Sequence, residues 1–195
     1  MKCRKIEKLI TIVDNRNRNL MKYPTLGINK DKVIFSTSAT EALNIIIFGL
    51  DWKEGDNVYV SPFEHNSILR PLEEIRKRYN INIEVIPFDK ESWEISENIE
   101  DVFALKKPKC IFCSAKSNVT GYELPYKSIF KLGKNYNSIN ILDGSQSFGV
   151  DKNITAENVD FIVFAGHKSL YSSFGIAGFI DCNNTKLKKF LFASE

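Results

Sequence analysis

Residues 160–180, DFIVFAGHKSLYSSFGIAGFI, hold both the fold and the chemistry of the chain. A strand-type apolar run, Phe161 to Phe164, stops at Ala165-Gly166 and delivers His167 and Lys168 side by side, ahead of small residues and a second apolar run. A lysine at the mouth of a buried strand must find a partner or lose its charge. Lys168 is therefore the first candidate for chemistry.

Outward from this stretch, strand and helix patterns alternate along the whole chain, with no internal repeat and no low-complexity linker. The patterns predict a basic amphipathic helix over residues 3–13, a polar segment over 14–31 and a strand over 33–36. A helix over 40–50, a strand over 58–61, a helix over 67–79 and a strand within residues 80–88 (NINIEVIPF) follow. A weaker helix over 96–103, a strand over 110–114, a helix over 126–136 and strands over 139–143, 161–164 and 176–181 complete the series. Such alternation predicts a three-layer α/β/α fold with a mostly parallel sheet, helices on both faces and right-handed crossovers that set the strand C-termini along one edge. The last two strands are joined without an obvious helix, which leaves room for an antiparallel final strand. Residues 1–32 read as an N-terminal helix and polar connector, and residues 33–195 as one domain.

Composition narrows the function classes. The chain has 195 residues, 43% of them hydrophobic and 12% aromatic, enough for a real core. Lys plus Arg outnumber Asp plus Glu by 27 to 24, and a net charge of +3 spread along the chain is no nucleic-acid footprint. Apolar runs such as residues 45–50 fall far short of the ~20 residues that span a bilayer. The start, MKCRKIEKLITIV, is basic but lacks a small-residue cleavage site, so the expectation is a cytoplasmic protein. Cys3, Cys110, Cys113 and Cys182 make no disulfide framework in a chain of this size. Cys110 and Cys113 form a C-x-x-C inside a strand, where residues three apart point to opposite faces, so they read as buried structural thiols and not as half of a metal site.

Five polar clusters follow directly on predicted strands: STSATEALN (36–44), SPFEHNS (61–67), SAKSNVTG (114–121), DGSQS (143–147) and AGHK (165–168). In the predicted sheet all five line one crevice, where ligands of such folds bind. Ser38-Ala39-Thr40-Glu41 reads as a capping box that starts a helix, or as a phosphate cradle made of free N–H groups and the Ser38 and Thr40 hydroxyls. His65 reads either as an ordinary loop histidine or as a site residue, and Asp143 as a helix cap, a metal ligand or a site carboxylate. One chemistry uses all five clusters. A desolvated lysine can form a Schiff base with an aldehyde, while a carboxylate holds a pyridine nitrogen protonated so that the ring acts as an electron sink. A helix N-terminus takes that cofactor's phosphate, a histidine stacks on its ring, and amides such as Asn118 and Gln146 bond its phenolic oxygen. The cofactor so described is pyridoxal 5′-phosphate.

TSATEALN, EHNS, SNVTG, DGSQSFG and GHK followed by FGIAGF stand in an order and spacing that resemble the class V aminotransferase group of fold-type I pyridoxal-phosphate enzymes, within it the cysteine desulfurases and selenocysteine lyases. The resemblance covers residues 33–180. It implies that Lys168 is the internal aldimine lysine, that Asp143 pairs with the pyridine nitrogen and that His65 stacks on the ring and moves protons. It further implies that Asn118 and Gln146 contact the phenolic oxygen and that Ala39, Thr40 and His167 hold the phosphate. The implied activity is removal of sulfur from a small amino acid such as L-cysteine, with a sulfur-acceptor protein as partner and a homodimer as the assembly of an intact member. The alternatives are a non-catalytic domain that keeps the fold, or another class V aminotransferase or lyase activity.

The sequence departs from the family in places. Ser38 stands where Gly is usual, and Ala165 where Ser or Thr is usual; Ser38 is expected to supply the lost phosphate hydroxyl. Ser172-Ser173 replaces a Gly-Pro pair. The family's substrate-carboxylate arginine, its sulfur-accepting cysteine and its small C-terminal domain have no counterpart, so residues 33–195 resemble the large cofactor-binding domain alone.

Overall fold

Strands with no polar alternation need cover on both faces, and four helices among the described residues supply it. The computed structural model describes residues 32–96, 98–168 and 170–188; the helix expected over residues 3–13 lies outside them. The described elements are β1 (Val33–Ser36), α1 (Ala39–Gly49), β2 (Asn57–Val60), α2 (Asn66–Tyr79), β3 (Asn82–Val85), β4 (Phe88–Asp89), β5 (Glu94–Ile95), α3 (Ile99–Leu105), β6 (Pro108–Ser114), α4 (Tyr126–Lys134), β7 (Ile139–Asp143), β8 (Phe161–Ala165) and β9 (Ala177–Asp181).

Seven strands form one sheet in the order β1-β9-β8-β7-β6-β2-β3. Neighbours are parallel from β8 across to β3, while β9 runs antiparallel to both β1 and β8. All strands of this sheet except β9 thus end at the same edge. The expectation of a mostly parallel three-layer sheet holds, and the helix-free connection before β9 does reverse the chain.

Side-chain alternation sorts the core into two layers. On one face Leu43, Ile46 and Ile47 of α1 and Ile68, Leu72 and Ile75 of α2 pack on Val58, Phe112, Ile141 and Val163. On the other Phe103 of α3 and Ile129 and Phe130 of α4 pack on Tyr59, Ile111, Leu142 and Ile162. Cys110 belongs to the first layer and Cys113 to the second, as residues three apart on a strand must. Burial pushes both thiols well above their ordinary pKa, so neither is a poised nucleophile.

The single strand expected within residues 80–88 is broken. Pro87 has no N–H to donate to a ladder, and the chain leaves the sheet after β3 to form a two-stranded hairpin of β4 and β5. Phe88 and Trp93 of this hairpin pack with Phe63 and Tyr122 at centroid distances of 5.0 to 6.4 Å. The helix expected over 96–103 begins later, at Ile99.

Close approach dictates two glycines. A Cβ on Gly166 would sit 2.6 Å from the Ile176 carbonyl oxygen, and one on Gly178 would overlap the Ile34 carbonyl. The first guards the turn after β8, the second the middle strand of the antiparallel edge.

Phe112 is fully buried at the centre of the sheet. Phe112→Ala is expected to lower the unfolding free energy by about 3–5 kcal/mol, and Val85→Ala, on the edge strand and 59% exposed, by less than about 0.5 kcal/mol, both read by urea denaturation.

Candidate active site

The order in which strands are added reverses between β2 and β6: from β2 the chain crosses to β3 on one side, and β6, β7 and β8 are then laid down on the other. In an open α/β sheet such a reversal leaves a crevice beyond the strand C-termini. All five expected polar clusters contribute to its wall. Ala39 and Thr40 come from the segment after β1, His65 and Ser67 from that after β2, and Ser114, Lys116 and Asn118 from the end of β6. Asp143, Ser145 and Gln146 follow from β7, and Lys168 from the turn after β8.

Each group is held by local structure. Ala39 and Thr40 open α1, so their N–H groups precede the helix's own ladder. Ser38 is the N-cap, its Oγ accepting from Glu41 N–H at 3.1 Å. The capping box is shifted by one residue: the Glu41 carboxylate accepts from Thr37 N–H at 2.7 Å and Thr37 Oγ1 at 2.6 Å, which lowers its pKa. Ser38 is not part of the crevice wall, so its observed task is capping. His65 caps α2, with Nδ1 accepting from Ser67 N–H at 3.1 Å and lying 2.8 Å from Ser67 Oγ. That arrangement leaves Nε2 as the proton-bearing nitrogen of a neutral ring. Asp143, 9% exposed, accepts at Oδ1 from Ser145 N–H at 2.9 Å.

Two expected groups sit differently. The His167 ring stacks on Phe174 at 4.9 Å and is not among the wall residues; its buried Nδ1 has no hydrogen-bond partner among the described residues. Lys168 borders the crevice with an exposed side chain, against the expectation of a desolvated amine. The reason is geometric: β8 ends at Ala165, and the turn closed by Lys168 N–H to Ala165 O, 3.2 Å, lifts the lysine clear of the sheet.

Glu64 was missed in the sequence although it stands next to His65. Its carboxylate accepts from Ser61 Oγ at 2.5 Å, Ser114 N–H at 2.6 Å and Ser114 Oγ at 2.9 Å. Burial, aided by the charge of Asp143 and opposed by those hydrogen bonds, pushes its pKa up to about 7. No metal-binding group of His, Cys, Asp and Glu exists among the described residues, and no helix among them is long and apolar enough to cross a membrane.

The profile of the aminotransferase class-V family matches residues 9–193, and the chain belongs to that family. It is 27% identical over 159 residues to a probable cysteine desulfurase of Methanothermobacter thermautotrophicus, a match covering 81% of this chain and 39% of the relative. Its fold matches the apo structure of the cysteine desulfurase from Thermococcus onnurineus NA1 with a TM-score of 0.82 and 22% identity, over 95% of this chain and 47% of that one. A variant of C-DES with glycine covalently linked to its PLP cofactor matches with a TM-score of 0.75 and 21% identity, over 90% of this chain and 47% of that one. The chain thus spans less than half the length of these relatives.

Ser38→Ala is expected to cost about 1 kcal/mol of stability through the lost cap, seen as a lower urea midpoint. If Ser38 also serves a phosphate, cofactor affinity falls with it; an unchanged affinity leaves Ser38 a cap alone.

Proposed function

We propose that this member of the aminotransferase class-V family is a pyridoxal-phosphate domain of cysteine desulfurase type, with residues 33–195 as the cofactor-binding portion and a small amino acid such as L-cysteine as substrate. The observation that carries the reading is the gathering of Lys168, Asp143, His65, Asn118, Gln146 and the start of α1 around one crevice.

The donor set fits the cofactor. Asp143 is a nearly buried carboxylate suited to a protonated ring nitrogen. The first turn of α1 offers N–H groups and the positive end of the helix dipole to a phosphate, and the buried Nδ1 of His167, off the crevice wall, has no hydrogen-bond partner among the described residues. His65, its ring fixed by Ser67, presents a flat face for stacking. Asn118 and Gln146 supply amide donors at the wall. Lys168 presents the amine that bonds an aldehyde and moves a proton. When bound, pyridoxal phosphate supplies the electron sink that stabilises negative charge at the substrate α-carbon.

The described cysteines do not supply a sulfur acceptor. Cys110 and Cys113 are enclosed, and burial pushes the Cys182 thiol up to about 12. The sulfur would therefore pass to an acceptor outside the described residues, a separate acceptor protein among them. Val119, Tyr171 and Phe174, exposed on two segments beside the crevice, support pairing with a second copy of the chain. The exposure of Lys168 favours a second reading, a domain that keeps the fold without turnover.

With the cofactor added, the protein is expected to acquire an absorption band that borohydride fixes onto the peptide containing Lys168, and to release alanine from L-cysteine, with Lys168→Ala losing both. Colourless protein after reconstitution contradicts the proposal; a trapped band without cysteine turnover supports the second reading.

A further inference from the structure

Glu64 occupies the point where the order of strand addition reverses. Ser61 follows β2 and Ser114 ends β6, and the Glu64 carboxylate receives one hydrogen bond from Ser61 and two from Ser114. It thus ties together the two strand ends between which the crevice opens. The tie is longer than it first looks, because Ser114 is the register partner of Asp143 on β7. Glu64, Ser114 and Asp143 therefore form a row across three adjacent strand ends.

The groups around this carboxyl decide its charge. On its own loop His65 spends Nδ1 on Ser67. From β6 comes the buried thiol of Cys113, whose pKa burial raises first and the charge of Glu64 second. From β7 comes Asp143, a like charge. Across the crevice stand Lys168, which is exposed, and Lys116, which pairs with Glu123 at 3.1 Å. Among the described residues no cation pairs with Glu64. Two carboxylates side by side, one of them desolvated, resist ionising together.

We propose that Glu64 is a positioning residue that ties β2 to β6 beneath His65 and stores a proton while the crevice is empty, releasing it when a cationic ring is held by Asp143. The second half rests on the pyridoxal-phosphate reading. A protonated ring nitrogen beside Asp143 offsets the negative charge that keeps Glu64 protonated. The Glu64 O–H bond then breaks, its proton passes to solvent, and nothing is oxidised or reduced. The released carboxylate keeps its three donors, so ionisation leaves the tie in place.

The test is calorimetric titration of the protein with pyridoxal 5′-phosphate at pH 6.5, in buffers of different ionisation enthalpy, which counts the protons released per bound cofactor. Wild type is expected to release roughly 0.5–0.8 proton more than Glu64→Gln, with the cofactor's absorption change confirming binding in both. Should Glu64→Gln fail to fold, Ser114→Ala serves: losing one donor to the carboxylate moves the pH range of proton release upward, and an unmoved range overturns the proposal. Equal proton release from wild type and Glu64→Gln, with both binding, overturns the Glu64 proposal and leaves the cofactor reading intact. Absence of binding heat and of absorption change in wild type overturns both.

A second readout needs no cofactor. A carboxyl whose folded pKa is raised above 4.5 to about 7 gives stability that is full below the unfolded value and is lost as pH rises through the folded one. The urea midpoint of the cofactor-free protein is therefore expected to fall between about pH 4.5 and 7, and that fall is expected to be shallower in Glu64→Gln; identical profiles contradict a stored proton.

Discussion

The backbone hydrogen bond from Ser61 N–H to the Phe112 carbonyl, 3.1 Å, closes the ladder where β2 and β6 run side by side, and the rest of the molecule depends on that pairing. It joins the half of the sheet that grows toward β3 to the half that grows toward β8. Beyond it the chain heads toward β3 from one strand and toward β7 from the other, with Glu64 bridging the two strand ends at Ser114. A crevice there follows from topology before any side chain is considered. The side chains then decide what it holds: amide, hydroxyl, imidazole and carboxyl groups from five separate segments converge on one volume.

Charge is distributed in a way that a purely structural crevice would not need. Two carboxyls, half-buried Glu64 and buried Asp143, stand close together, and Lys168 in the wall faces solvent. An interior that buries like charges without a counter-ion loses stability. The arrangement becomes favourable once a group with a positive ring and a negative tail lies between Asp143 and the start of α1, where helix dipole and carboxylate each meet the opposite charge. Membership of the aminotransferase class-V family points to a group of that kind.

Much of this was legible in the sequence because it rests on strong local signals. β7 spans Ile139–Asp143, the bounds expected for it, and the C-x-x-C could be split between two faces from strand periodicity alone. The convergence of the five clusters also followed, since a parallel sheet sends every such segment to one edge. What escaped depends on tertiary partners. β4 and β5 are two residues each, too short to show a period. His65 as a helix cap requires the ring to turn back on Ser67. Glu64 meets Ser114 from 50 positions away, and no local pattern reports that. The exposure of Lys168 turns on one backbone turn, whose direction the residue types leave open.

A crystal structure of the protein grown with pyridoxal 5′-phosphate tests the central claim most directly. The account predicts density continuous with Lys168 Nζ, a ring nitrogen within hydrogen-bond distance of Asp143, and a phosphate at the N–H groups of Ala39 and Thr40. A cofactor bound elsewhere, or a ring nitrogen turned away from Asp143, would contradict it.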